Sequence, residues 1–248
     1  MRFATFTSQS RDGRLVVIST DGRRYLEVGD TAPNLLGAIE RWDALMPRLS
    51  ELADRLEQGE GDGFDPANCA APLPRSWQWL DGSAFSTHGE LMQVAFGLDP
   101  IEAEKPLMYQ GLSDRFYGPV DDVPFPGMEH GIDFEGEYGV IVDHVPMGTD
   151  AAEAMKHIKL IVQINDWSLR AIAPVEMKTG FGWVQAKPAC SMAPFAVTPD
   201  ELGDAWQDGR VCLDLEIDWN GKRFGAANGR EMDVGFHDLI AHAAFTRD

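Results

Sequence analysis

The sequence predicts an α+β protein rich in strand, with a small N-terminal domain over residues 1–70 and a larger β-rich domain over residues 71–248. Three observations carry this. Short apolar runs joined by tight turns open the chain, and a helical period then occupies residues 33–56. After a Gly-rich acidic linker at residues 59–63, the chain turns Gly- and Pro-rich with strand-length apolar runs.

The opening strands are Phe3 to Thr7, Arg14 to Ser19 and Arg24 to Val28, separated by Arg11-Asp12-Gly13 and Asp21-Gly22. Asp-Gly between apolar runs supplies the positive φ that a hairpin turn requires. From Pro33 the period changes: Leu35, Leu36, Ile39 and Trp42 fall at helical spacing, and Leu49, Leu52, Ala53 and Leu56 resume it. Pro47 lies between these sets. Lacking an N–H, it is expected to break or restart the helix, giving a kinked helix or a helical hairpin. Pro66 to Pro74 runs extended toward Trp77 and Trp79, which places the domain boundary near residue 70.

Beyond the boundary, Ile132 to Val142 reads as a buried strand. Asp150, with Glu153 three residues on, caps a helix continuing through Ile158. Leu160 to Ile164 reads as a second buried strand that delivers Asn165-Asp166 at its end. Val211 to Trp219 and Lys222 to Phe224 form a hairpin about Asn220-Gly221, with Leu213, Leu215 and Ile217 on one face. Asp214, Glu216 and Asp218 make its other face a solvated edge. Residues 236–245 close the chain as a helix, and there is no internal repeat.

A formal charge of −19 leaves no basic stripe to displace counterions from nucleic acid, and it disfavours anionic membranes. No apolar run approaches transmembrane length and no signal core follows Met1, so the cytoplasm is expected. Cys69, Cys190 and Cys212 lack metal-ligand spacing and read as buried or bystander thiols.

The stretch that carries chemistry is Phe134-Glu135-Gly136-Glu137. Alternation on a strand points Glu135 and Glu137 the same way, with Gly136 between them on the other face. Two anions so placed are exposed to water, share a proton, or flank a cation. Asp81 in Trp79-Leu80-Asp81-Gly82 and Asp166 in Asn165-Asp166-Trp167-Ser168 add acids at strand ends or faces. Taken singly, each reads as a turn former or a surface charge. As a set with no Cys and no paired His, they favour a hard divalent ion, Mg²⁺ or Ca²⁺.

Asp81-Gly-Ser-Ala-Phe-Ser-Thr-His88, Phe134-Glu-Gly-Glu137 and Asn165-Asp-Trp-Ser-Leu-Arg170, in that order, resemble the fumarylacetoacetate hydrolase family, with the nearest likeness to its bacterial fumarylacetoacetases. The resemblance spans nearly the whole chain. It implies a mixed β-roll after the small N-terminal domain, a homodimer, and a small diketo acid as substrate. Asp81, Glu135, Glu137 and Asp166 would hold Mg²⁺ or Ca²⁺. His88 would take a proton from the attacking water, Arg170 and Lys187 would hold substrate oxygens and charge, and Tyr109 would hydrogen-bond the substrate.

The expected reaction is hydrolysis of the carbon–carbon bond of fumarylacetoacetate in tyrosine and phenylalanine catabolism. Alternatives on the same motifs are acylpyruvate hydrolysis, oxaloacetate decarboxylation, or 2-keto acid hydration or isomerisation. The segment after His88 carries no Arg or Lys where family members place a carboxylate-binding base. The resemblance also implies further strands and a Gly-Thr segment beyond residue 248, so the β-roll is expected to be incomplete at its C-terminal end. An inactive, shortened relative is the remaining reading.

Overall fold

The computed structural model describes residues 1–87, 89–91 and 105–248. The three predicted N-terminal strands form as β1 (Arg2–Phe6), β2 (Arg14–Ile18) and β3 (Arg24–Glu27), each antiparallel to the next. Gly13 and Gly22 take φ of +66° and +72° at the two turns. At Gly13 a Cβ would lie 2.3 Å from the Thr5 methyl group, so glycine is required there on two counts.

Helix α1 (Leu35–Ile39) starts where the Asn34 carboxamide accepts from the Gly37 N–H. Helix α2 (Trp42–Glu57) follows directly and runs through Pro47 without a break. The interruption expected at Pro47 falls instead at Arg41, whose backbone (φ −132°, ψ 28°) leaves the helical region. Pro47 forfeits one hydrogen bond, but Leu45, Leu49, Leu52 and Leu56 recur at helical spacing and are all buried against the sheet. Burial of about 2 kcal/mol per such side chain outweighs a proline cost of about 3 kcal/mol.

After β4 (Asp62–Gly63) the chain passes to a two-stranded ladder, β5 (Leu80–Gly82) with β6 (Met108–Gln110). Strand β7 (Ile132–Val142) pairs along its whole length with β8 (Ile158–Leu169), and α3 (Ala151–His157) connects them, capped by Asp150 as expected. Strand β8 runs five residues past Ile164, so Asn165 and Asp166 lie within it and not at its end. Pairing with β7 on one side and β9 (Ser191–Met192) on the other overrides the turn preference of Asn-Asp. Helix α4 (Ala173–Thr179) precedes β9, and β10 (Ala196–Val197) follows it.

Strand β10 pairs with both β8 and β1. A single sheet in the order β4-β3-β2-β1-β10-β8-β7 therefore spans the two sequence-defined domains, with β9 also on β8. Their apolar faces share one core, in which Phe3, Leu15 and Val17 pack with Leu49, Leu160 and Val162. On the other side, Ile161 packs with Val211, Met232, Phe236 and Leu239.

Beyond β11 (Trp206–Gln207) and β12 (Arg210–Val211), the predicted hairpin is β13 (Asp214–Trp219) with β14 (Lys222–Asn228). Asn220 and Gly221 both have positive φ, +50° and +74°. The hairpin lies against the side of β7 that Gly136 faces. A Cβ at Gly136 would sit 2.9 Å from Ile217 Cδ1, so the small residue between the two glutamates admits this layer. Helix α5 (Phe236–Ala243) closes the described chain.

Candidate metal-binding and active site

The register of β7 and β8 sets Glu135 directly across from Asp166, and Glu137 across from Ile164. Alternation turns the three carboxylates toward one side of the sheet. The β5–β6 ladder brings Asp81 and its cross-strand partner Tyr109 to that side. Carboxylate oxygens of Asp81, Glu137 and Asp166 all lie within 4.8 Å of one another. Asp81 and Glu137, with Glu135, Tyr109, Arg170 and Lys187, line a cleft of about 1550 Å³, while Asp166 itself is fully buried.

Asp166 is fully buried and accepts from three donors. Its Oδ2 accepts from the Tyr109 hydroxyl at 2.6 Å and from Lys187 Nζ at 2.7 Å, and its Oδ1 accepts from Cys190 Sγ at 3.2 Å. Glu135 stands outside the triad. Its Oε1 accepts from Ser168 Oγ at 3.0 Å, Arg170 Nη2 at 2.7 Å and Lys187 Nζ at 2.8 Å. Arg170 Nε also donates to Asp133 at 2.7 Å.

These contacts split the glutamate pair electrostatically. At Glu135, burial opposes ionisation, but Lys187, Arg170 and the Ser168 hydroxyl outweigh it and lower the carboxyl to about 2. At Glu137, burial and then Asp81, Asp166 and Glu135 hold the carboxyl well above its ordinary range. Burial and then Asp166 push Asp81 from 3.8 up to about 6. Burial and the same carboxylates raise the Tyr109 phenol, so it remains a donor. The Cys190 thiol is raised by burial and then by Asp166. Lys187 pays a burial penalty, but Glu135 and Asp166 keep it charged.

Among the described residues, neither Asp81 nor Glu137 forms an ion pair. Lys187 is spent on Glu135 and Asp166, and Arg170 on Asp133 and Glu135. Two half-buried carboxylates beside a fully buried third therefore lack compensating charge, and a divalent cation fits that deficit. The donors are all oxygen, which suits a hard ion.

Of the eight residues the sequence nominates, the structure gathers seven. Asp81, Glu137 and Asp166 form the triad, Glu135 binds Lys187 and Arg170 beside it, and Tyr109 bonds to Asp166. His88 lies outside the described residues. Sequence reasoning missed Ser168, Asp133 and Cys190. The first two flank nominated residues on β8 and β7. The third sits one residue before β9, a strand too short to announce itself.

The family model described as fumarylacetoacetate (FAA) hydrolase C-terminal matches residues 78–247. The chain belongs to the fumarylacetoacetate hydrolase family. Residues 1–75 match the fumarylacetoacetase N-terminal domain 2 model. A 2,4-didehydro-3-deoxy-L-rhamnonate hydrolase of Sphingomonas sp. (strain SKA58) is 32% identical over 149 residues, covering 58% of this chain and 49% of that protein. The human mitochondrial oxaloacetate tautomerase FAHD2B is 25% identical over 248 residues, covering 94% of this chain and 76% of that protein. Several matches, the rhamnonate hydrolase among them, are spanned over only about half their own length.

The fold of a maleylpyruvate hydrolase from Sphingobium sp. SYK-6, in complex with manganese(II) and pyruvate, superposes with a TM-score of 0.71 at 18% identity. That likeness covers 99% of this chain and 83% of the other. Family membership and the β-roll expected of it hold for this chain. The curated relatives include a rhamnonate hydrolase and oxaloacetate tautomerases, so the family is shown without a specific likeness to its fumarylacetoacetases. No helix among the described residues is long and apolar enough to cross a membrane.

Proposed function

We propose that this chain forms the core of a divalent-metal-dependent enzyme that stabilises the enolate of a 2-oxo acid, formed either by proton removal from carbon in tautomerisation or as the leaving fragment when water adds to a neighbouring carbonyl and the carbon–carbon bond breaks. The observation that carries the reading is the Asp81–Glu137–Asp166 triad, whose oxygens crowd within 4.8 Å, with no ion pair to two of the three acids among the described residues. Relatives named 2,4-didehydro-3-deoxy-L-rhamnonate hydrolase and oxaloacetate tautomerase support the 2-oxo acid class.

Asp81, Glu137 and Asp166 would hold the ion, with Mg²⁺, Ca²⁺ and Mn²⁺ the candidates by donor chemistry. Such an ion, when bound, supplies Lewis acidity toward a carbonyl and its enolate. The chain's own residues do the positioning. Lys187 uses two of its three N–H donors on Glu135 and Asp166, which aims the third into the cleft for an oxyanion. Arg170, pinned by Asp133 and Glu135, keeps Glu135 ionised and so keeps Lys187 in place. Tyr109 donates to Asp166 and fixes the carboxylate it touches. Proton removal from carbon or water is assigned to His88, a base neutral near pH 7.

Hydrolysis of fumarylacetoacetate is the second reading, favoured by the match of residues 1–75 to a fumarylacetoacetase N-terminal domain. The test is a substrate panel on protein stripped of metal and then supplied with Mg²⁺, Ca²⁺ or Mn²⁺. Keto–enol exchange of oxaloacetate, loss of acylpyruvates and loss of fumarylacetoacetate are all followed by ultraviolet absorbance. Turnover that needs the ion and vanishes in Glu137→Gln is expected; folded, metal-loaded protein inert on every member would overturn the reading.

A further inference from the structure

We infer that Cys190 is a positioning residue for the metal centre: its S–H holds Asp166 Oδ1 in the direction that lets this oxygen serve a cation together with Asp81 and Glu137. The inference rests on the metal reading of the triad.

The backbone builds the contact. Strand β9 pairs with β8 so that Ser191 opposes Asn165. Continuing that antiparallel register by one residue puts Cys190 opposite Asp166, on the other side of it from Glu135. The pairing is locked from the next segment, because Tyr117 N–H donates to the Cys190 carbonyl at 2.8 Å and Met192 N–H donates to the Tyr117 carbonyl at 2.9 Å. Side chains alternate about this point. The Ser191 hydroxyl accepts from Trp167 Nε1 at 2.9 Å on one face, while Cys190 Sγ meets Asp166 on the other.

Asp166 divides its two oxygens unequally. Oδ2 carries two strong donors, Tyr109 and Lys187, at 2.6 and 2.7 Å. Oδ1 carries only the thiol, at 3.2 Å. A thiol is a weak donor, so it orients Oδ1 while leaving most of the oxygen's basicity for a cation. Cys190 is 1% exposed and Asp166 is fully buried, so water does not substitute for the S–H. Cys69 and Cys212 are buried too, yet neither makes a side-chain hydrogen bond among the described residues. Burial alone does not explain the contact at Cys190.

The experiment is Mn²⁺ titration by calorimetry on the full chain, with Cys190→Ala and Cys190→Ser, and infrared spectroscopy of the S–H stretch in the unmodified protein. Loss of a donor to a charged acceptor predicts that Cys190→Ala weakens Mn²⁺ binding by roughly 3–10-fold. Cys190→Ser, which restores a donor at the same place, returns affinity to within about twofold of the parent. The Cys190 S–H band shifts on adding Mn²⁺, because the ion binds the carboxylate that accepts from the thiol. Parent-like affinity in Cys190→Ala, no rescue by Cys190→Ser, or an S–H band indifferent to Mn²⁺ each overturns the positioning role. Failure of the unmodified protein to bind Mn²⁺ overturns the metal reading itself, and the inference with it.

Discussion

Asp81→Asn separates stability from function at the triad. In the ion-free protein Asp81 is held at about 6, against 3.8 ordinarily, chiefly by burial and by the Asp166 carboxylate. A carboxyl whose folded pKa is raised binds more protons folded than unfolded between those two values, so stability falls as pH rises through the window and is level above it. The loss by neutral pH is about 3 kcal/mol. Asparagine keeps the side chain's size and removes the charge. Ion-free Asp81→Asn should therefore be more stable than the parent at pH 7, by up to ~3 kcal/mol, or roughly 5–10 °C in melting temperature. The advantage should shrink at pH 5. With Mn²⁺ at about 100 times its dissociation constant, the parent gains about 2.7 kcal/mol and the variant gains little, so the order closes or inverts. Thermal unfolding by circular dichroism in EDTA and in Mn²⁺, at both pH values, measures all four states. A variant less stable than the parent in EDTA at pH 7, or stabilised by Mn²⁺ as much as the parent, would refute the reasoning.

Three further outcomes follow from the same contacts. Glu137→Gln should reduce Mn²⁺ affinity at least 100-fold, an energy of about 3 kcal/mol, whereas Glu135→Gln should cost clearly less, because Glu135 is already engaged by Lys187, Arg170 and Ser168; calorimetric titration of both compares them. Lys187→Met leaves Glu135 and Asp166 without their shared cation and should destabilise the ion-free protein by about 3–5 kcal/mol in urea unfolding, with part of the loss recovered by Mn²⁺. Gly136→Val places a branched side chain where a Cβ alone would stand 2.9 Å from Ile217 Cδ1, so it should lower stability by about 1–3 kcal/mol and loosen the hairpin, read as faster amide exchange in residues 214–228.

Local chemistry made much of the frame legible. Alternation in residues 132–142 fixes a strand, puts both glutamates on one side and explains Gly136 between them, because each of these depends only on side-chain direction along one segment. Asn220-Gly221 fixes a hairpin because two positive φ values are a demand of the turn itself. Pro47 and Asn165-Asp166 misled for the converse reason. Both are local preferences, one for ending a helix and one for turning, and both yield to pairing and burial contributed by distant segments.

The division of labour between Glu135 and Glu137 was beyond any local reading. Two residues apart on one strand, with the same side chain and the same face, they differ only in what other segments bring to them. Ser168 arrives on β8, Arg170 just past its end, and Lys187 from the segment before β9; all three reach Glu135 and none bonds to Glu137. Glu137 is left with Asp81 and Asp166 for neighbours. One carboxylate is thereby held ionised as an anchor for cations of the chain, and the other is held in an excess of negative charge that a proton or an added cation relieves. The pattern Glu-x-Glu thus encodes a site only together with the basic residues that claim one member of the pair. A chain with the same pair but with neutral residues at 170 and 187 would leave Glu135 with Ser168 but no cation, and it should bind divalent ions without Lys187's donor beside the cleft.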